Sequence, residues 1–123
     1  MRSRNIIESF RFAFAGLWYA LRTQRNTRIH LVIAAAAIAV GVWLELSFTQ
    51  WAVLTLTIGS VLVSEMLNTV AETLVDLISP GYHPLAKIVK DVTAGAVLLA
   101  AIVAVIVGLL VLGPPLWGRL GGN

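Results

Sequence analysis

Residues 51–76 read WAVLTLTIGSVLVSEMLNTVAETLVD, an apolar run of membrane length that passes without a break into a stretch carrying Glu65, Asn68, Glu72 and Asp76. These four residues stand three, four and four positions apart, so on an α-helix they stack along one stripe. An ionised Asp at mid-membrane costs roughly 2.5–3.5 kcal/mol even on lenient insertion scales. A plain membrane anchor has no reason to gather carboxylates on one face, whereas a metal, a proton or a polar cavity supplies one. The stretch therefore predicts an all-α membrane protein and marks where its chemistry lies.

The rest of the chain fits a small integral-membrane domain. Of 123 residues, 59% are hydrophobic and 12% charged, and the mean hydropathy is +0.89. With no cysteine, neither disulfides nor a thiolate metal site contributes. Apolar runs predict three spans at 29–48, 51–78 and 90–112 within one domain covering 1–123. A further helix is expected over 5–22, where Ile6, Ile7, Phe10, Phe14, Leu17 and Leu21 recur at helical spacing while Asn5, Glu8 and Arg11 lie on other faces. That pattern suits an amphipathic helix lying on the bilayer surface; a fourth span is the alternative.

The isoelectric point near 10 follows from topology and not from nucleic-acid binding. Arg2, Arg4, Arg11, Arg22, Arg25 and Arg28 all precede the first run, Lys87 and Lys90 lie between the second and third, and residues 45–50 carry no Lys or Arg. The positive-inside rule then makes the N-terminus and the 79–90 loop cytoplasmic, and the 45–50 turn and the C-terminus external, in a multi-pass membrane protein. Trp43, Trp51 and Trp117 fall at one interface, and Trp18, Tyr19 and Tyr82 at the other.

The second run spans about 42 Å as a helix, against ~30 Å of hydrocarbon, so it must protrude. With Trp51 at the outer interface, Glu65 lies about 21 Å further in, at the inner edge of the lipid; Glu72 and Asp76 follow at about 32 and 38 Å, in the headgroup zone. This gradient suits a reaction between a lipid headgroup and a water-soluble reagent. Glu72 and Asp76 also suit a solvated helix end. That explanation fails for Glu65 with Asn68, whose neighbours are Val, Leu and Met.

Lys90 and Asp91 open the third run, preceded by Gly81, Tyr82 and His83. A Lys beside the membrane suits a phosphate, or it snorkels beside a helix-initiating Asp. His30, at the start of the first run near Arg28, reads as incidental. No nucleotide-binding glycine loop, HExxH or GxSxG motif is present, so a nucleotide must be held through metal-bound carboxylates and a few basic groups, and hard oxygen ligands favour Mg²⁺. A proton or ion conductor that uses Glu65 as a relay is the rival of another class. It leaves Glu72, Lys90 and Asp91 unexplained.

EMLNTVAETLVD (65–76), GYHPLAKIVKDVTAGAVL (81–98) and SFRFAFAGLWYALRTQRNTRIHL (9–31) together resemble the prokaryotic diacylglycerol kinase and undecaprenol kinase family of small membrane lipid kinases. The resemblance covers nearly the whole chain. It implies a surface helix plus three membrane helices in a homotrimer, acting on ATP with Mg²⁺ and a lipid alcohol at sites shared between subunits. On the matching positions, Glu65 resembles the general base and Asn68 its polar neighbour near the nucleotide. Glu72 resembles a metal-ligand carboxylate, Gly81, Tyr82 and His83 a nucleotide-contacting loop, and Lys90 and Asp91 the phosphate- and nucleoside-binding groups. Gln24 stands where family members often carry a second metal-ligand Glu; its carbonyl oxygen is a weaker, uncharged donor. The RNTRIHL segment looks more like the undecaprenol kinase branch, with diacylglycerol as the alternative acceptor.

Overall fold

The computed structural model describes residues 5–122 as four helices, α1 (Ile6–Thr23), α2 (Arg25–Leu44), α3 (Phe48–Ile78) and α4 (Pro84–Arg119). Arg2 and Arg4, which contribute to the expected orientation, lie outside the described residues. Three helices, α2, α3 and α4, are long and apolar enough to cross a membrane. The all-helical expectation holds, and the departures are at the helix ends.

α1 starts where Asn5 Oδ1 accepts from the Glu8 backbone N–H at 2.9 Å, capping one of the free donors of the first turn. It stops at Gln24, whose extended backbone (φ −108°, ψ 111°) is the joint to α2. Arg28 closes this corner from the far side. Its guanidinium donates to the carbonyls of Leu21 and Arg22 at 3.1 and 2.9 Å, satisfying acceptors that the end of α1 leaves open. α2 thus begins at Arg25, four residues before the expected apolar start.

α2 also ends earlier than the sequence led us to expect, at Leu44 and not residue 48. Glu45 takes a left-handed conformation (φ 58°), and Ser47 begins the next helix. Ser47 Oγ accepts from the Gln50 N–H at 3.2 Å while Gln50 Oε1 accepts from the Ser47 N–H at 2.8 Å. This reciprocal cap fixes the start of α3 at Phe48.

α4 is longer than the expected 90–112 at both ends. His83 caps it, with Nδ1 accepting from the Leu85 N–H at 3.1 Å, and Pro84 occupies the first turn, where its missing N–H costs nothing. At the other end the helix continues through Pro114 and Pro115, although proline in a helix interior forfeits a backbone hydrogen bond. Tertiary contacts hold the last turns. Leu112 and Leu116 pack on the Leu44, Leu46, Leu54 and Val111 cluster, and Arg119 donates to the Trp43 carbonyl at 2.9 Å with its guanidinium 5.3 Å from the Trp43 ring centroid.

α3 and α4 pack along much of their length, α2 touches both, and α1 contacts α2. The buried apolar set is small (Ala20, Ala34, Leu44, Leu46, Leu54, Val61, Val97 and Val111), while large side chains such as Val32, Leu56, Leu67, Leu99 and Leu110 stay exposed. In water that surface would be an aggregation liability; at membrane depth, lipid or other chains cover it.

Among the helical glycines, Gly41 is the one with no room for a side chain. A Cβ there would stand 2.8 Å from the Trp51 ring and 2.9 Å from Leu46 Cδ1. Gly41→Ala is expected to force the Trp51 ring outward and cost about 1–3 kcal/mol. Thermal unfolding in detergent, compared with Gly59→Ala, whose Cβ meets nothing within 4 Å, checks this. Equal melting temperatures for the two variants would refute the close approach.

Candidate functional site

α3 grades from buried to exposed along the stripe. Glu65 is 2% exposed and Asn68 9%, Glu72 is half-buried, and Asp76 faces out. Rise along the helix puts Glu72 about 10 Å and Asp76 about 16 Å beyond Glu65. Asn68 Nδ2 donates to Glu72 Oε1 at 3.1 Å, tying the second and third members together.

Five of the seven hydroxyl side chains of α3 are satisfied within the helix itself. The hydroxyls of Thr57, Ser60, Ser64, Thr69 and Thr73 each donate to the carbonyl four residues back, at 2.7, 2.8, 2.8, 3.0 and 2.8 Å. That is the ordinary way a membrane-depth helix satisfies Ser and Thr. Glu65 and Asn68 are different. Among the described residues, the buried side-chain atoms without a hydrogen-bond partner are Thr27 Oγ1, Glu65 Oε1 and Asn68 Oδ1. Leaving a buried acceptor unmet costs about 1–3 kcal/mol, which sets these atoms apart from the self-satisfied hydroxyls of α3.

α2 supplies a residue that the sequence reading set aside. His30 Nε2 lies 3.1 Å from Glu65 Oε1. Sequence alone offers little reason to single out His30, and the structure gives it this polar neighbour. The one signal is that IHLVIAAAA places a polar ring inside an apolar run, the same argument that singled out Glu65. The contact lies within hydrogen-bond distance, yet Oε1 has no aligned donor. The two atoms are close neighbours, and among the described residues neither has another hydrogen-bond partner on the facing helix.

The shallow end of the stripe opens on a cleft of about 450 Å³ between the end of α3, residues 79–83 and the start of α4. Asp76, Gly81, Tyr82, His83, Lys90 and Asp91 line it. Lys90 Nζ donates to Asp76 Oδ1 at 2.7 Å, and Lys87 pairs with Asp91 one turn on. Adjacent Lys90 and Asp91 thus take different partners, and Asp76, at the end of the stripe, is drawn into the cleft through Lys90. These ion pairs are exposed and add little to stability. Such cations are free to exchange a carboxylate for a phosphate. His83 spends Nδ1 on the helix cap, which fixes its ring, and Tyr82 is exposed.

Glu65 and Asn68, buried, with the half-buried His30 and Glu72 beside them, therefore form one group, and Gly81, Tyr82, His83, Lys90 and Asp91 a separate, open one. Gln24 stands at the α1–α2 corner, half-buried, with no side-chain bond to the helix end it precedes. It shares no hydrogen bond with Glu72 among the described residues. Nor, among the described residues, do three His, Cys, Asp or Glu side chains gather in a metal-binding group.

Comparison with known proteins gives a consistent answer. The family model for prokaryotic diacylglycerol kinase matches residues 11–112. A diacylglycerol kinase of Synechocystis sp. is 53% identical over 113 residues, 91% of this chain and 65% of that protein. The chain thus spans just under two thirds of that relative's length. An undecaprenol kinase of Bacillus subtilis is 43% identical over 89% of each chain. A diacylglycerol kinase of Escherichia coli is 31% identical over 94% of this chain and 92% of its own.

Proposed function

The chain belongs to the prokaryotic diacylglycerol kinase family, a family of lipid kinases, and on that premise we propose that it transfers the γ-phosphate of ATP to the primary hydroxyl of a membrane lipid alcohol, with undecaprenol as acceptor. The observation that carries this reading is the buried carboxylate of Glu65, with one oxygen unpaired, at the deep end of a stripe whose shallow end opens on a cleft lined by Lys90. A lipid hydroxyl reaches such a base from the bilayer and a nucleotide reaches such a cleft from water.

In this mechanism Glu65 accepts the hydroxyl proton as the lipid oxygen attacks the γ-phosphorus and ADP leaves. Phosphoryl transfer asks chiefly for positioning and charge neutralisation. Lys90, released from Asp76, meets phosphate oxygens. Gly81, Tyr82, His83 and Asp91 bound the nucleotide, and Asn68 orients Glu72. The donor set fits Mg²⁺ as the nucleotide's companion ion, because Mg²⁺ is usually held by one or two carboxylates plus phosphate oxygens and water. Glu72 offers one carboxylate, already anchored through Oε1 by Asn68; Asn68 Oδ1 is an unmet oxygen, and Gln24 contributes a neutral one. The ion's part when bound is to neutralise charge on the phosphates.

The same reading puts α1 on the cytoplasmic surface of a bacterial inner membrane, with the exposed Ile6, Ile7, Phe10 and Phe14 entering the lipid. It makes the working unit a homotrimer, in which neighbouring copies cover part of the exposed apolar surface of α2–α4. Diacylglycerol is the second reading for the acceptor, favoured by the name of the 53% identical relative. Purified protein given MgATP and each lipid in the same mixed micelles decides between them. The expected outcome is faster phosphorylation of undecaprenol. A higher kcat/KM for diacylglycerol would reassign the substrate while leaving the reaction class intact.

A further inference from the structure

We propose that His30 is the outlet through which Glu65 loses its proton after each turnover. The proposal rests on Glu65 being the base. A base that has taken a hydroxyl proton must give it up before it can act again. Glu65's side chain is 3% exposed, and its helix neighbours Val61 and Thr69 are buried too, so direct release to water is obstructed. His30 touches it at 3.1 Å and, in the single chain, is 21% exposed against 3% for Glu65.

The geometry suits proton passage. Two atoms 3.1 Å apart, a carboxylate oxygen and an imidazole nitrogen, form a satisfied contact only when one proton lies between them. The 3.1 Å separation is within reach of a hydrogen bond, and Glu65 Oε1 has no other partner among the described residues. After transfer the Glu65 O–H proton moves to Nε2, leaving a carboxylate and an imidazolium; the imidazolium then gives a proton to water or buffer and returns to neutral. No bond other than O–H and N–H changes, and the proton released is the one lost by the lipid hydroxyl. An imidazole is suited to this because one ring nitrogen can accept a proton while the other carries one.

The surroundings leave the pair to itself. On α3, Glu72 is two turns away and bonded to Asn68. On α2, Arg28 is committed to the end of α1. The α4 side chains lining the groove that His30 borders include Ala101, Ala104 and Val105, all apolar. Among the described residues, His30 is the one titratable side chain in an ion-pair contact with Glu65.

Rapid-quench kinetics with purified full-length protein, MgATP and lipid alcohol test the proposal on His30→Gln, which keeps a polar amide beside the carboxylate but carries no proton through. A first turnover near the wild-type rate is expected, followed by steady-state turnover reduced at least about tenfold, hence a burst of product. Added imidazole should restore the steady rate of His30→Ala in a saturable way. A residue that merely holds Glu65 in place predicts a slowed first turnover and no burst. That pattern, or steady turnover within twofold of wild type for His30→Gln, would overturn the outlet. Glu65→Gln, run alongside, separates the two levels: if it stays active, the base assignment fails, and if it is inactive while His30→Gln is normal, only the outlet fails.

Discussion

Glu65→Gln is expected to reduce turnover by about 10²–10⁴-fold, the usual cost of removing a general base, while ATP binding and folding stay close to wild type. The substitution is nearly isosteric and keeps a polar group beside His30, so the packing around a side chain 3% exposed is preserved. What is lost is the ability to accept a proton from the lipid hydroxyl. The control is the Michaelis constant for ATP, which reports the cleft some 16 Å further along the helix and is expected to change little. Steady-state phosphorylation with a parallel melting curve checks both parts. Turnover within threefold of wild type would remove Glu65 from the role of base, and a lowered melting temperature would reassign it to structure.

Magnesium dependence is the second large effect. On the proposed reading Glu72 serves the ion, and Gln24, at the α1–α2 corner, is a neutral donor that makes no capping hydrogen bond of its own. Glu72→Gln leaves two amides and no charge, below the single carboxylate that Mg²⁺ sites usually retain. The Mg²⁺ concentration for half-maximal rate is expected to rise steeply, about tenfold or more, or activity is lost altogether. Gln24→Glu adds a charge and should lower that concentration, with a smaller change in the Michaelis constant for lipid. Titrating Mg²⁺ against rate for the wild type and both variants settles the assignment. An unmoved curve for Gln24→Glu would take Gln24 away from the metal.

Much of this arrangement was legible in the chain because burial in a membrane makes polar residues conspicuous. Glu65 and Asn68 stand out against Val, Leu and Met, and the structure buries both. Three helices able to cross a membrane follow from the apolar runs. The helix ends were less legible because they depend on local caps weaker than hydropathy. Ser47 and Gln50 form a reciprocal cap that cuts three residues from the expected outer turn. Pro114 and Pro115 would end most helices, but here Leu116 and Arg119 have tertiary partners that carry α4 past them.

The site's partners were the hardest to read. Lys90 meets Asp76 fourteen residues away, and only the path of residues 79–83 brings them together. His30 was passed over because it lies at the edge of its run, although Glu65 faces it across the helix interface. Both contacts are between elements, where neither period nor spacing within one helix carries the information.

The central claim is that the polar stripe of α3 serves the transfer of phosphate from ATP to a lipid. The most direct test is the fate of γ-labelled phosphate when purified wild-type protein and Glu65→Gln are each reconstituted with MgATP and a lipid alcohol. The account predicts label in a chloroform-extractable lipid phosphate for the wild type and a loss of about 10²-fold or more for the variant. Label that stays in ATP or appears only as inorganic phosphate, while liposomes bearing the same protein conduct protons through Glu65, would contradict it.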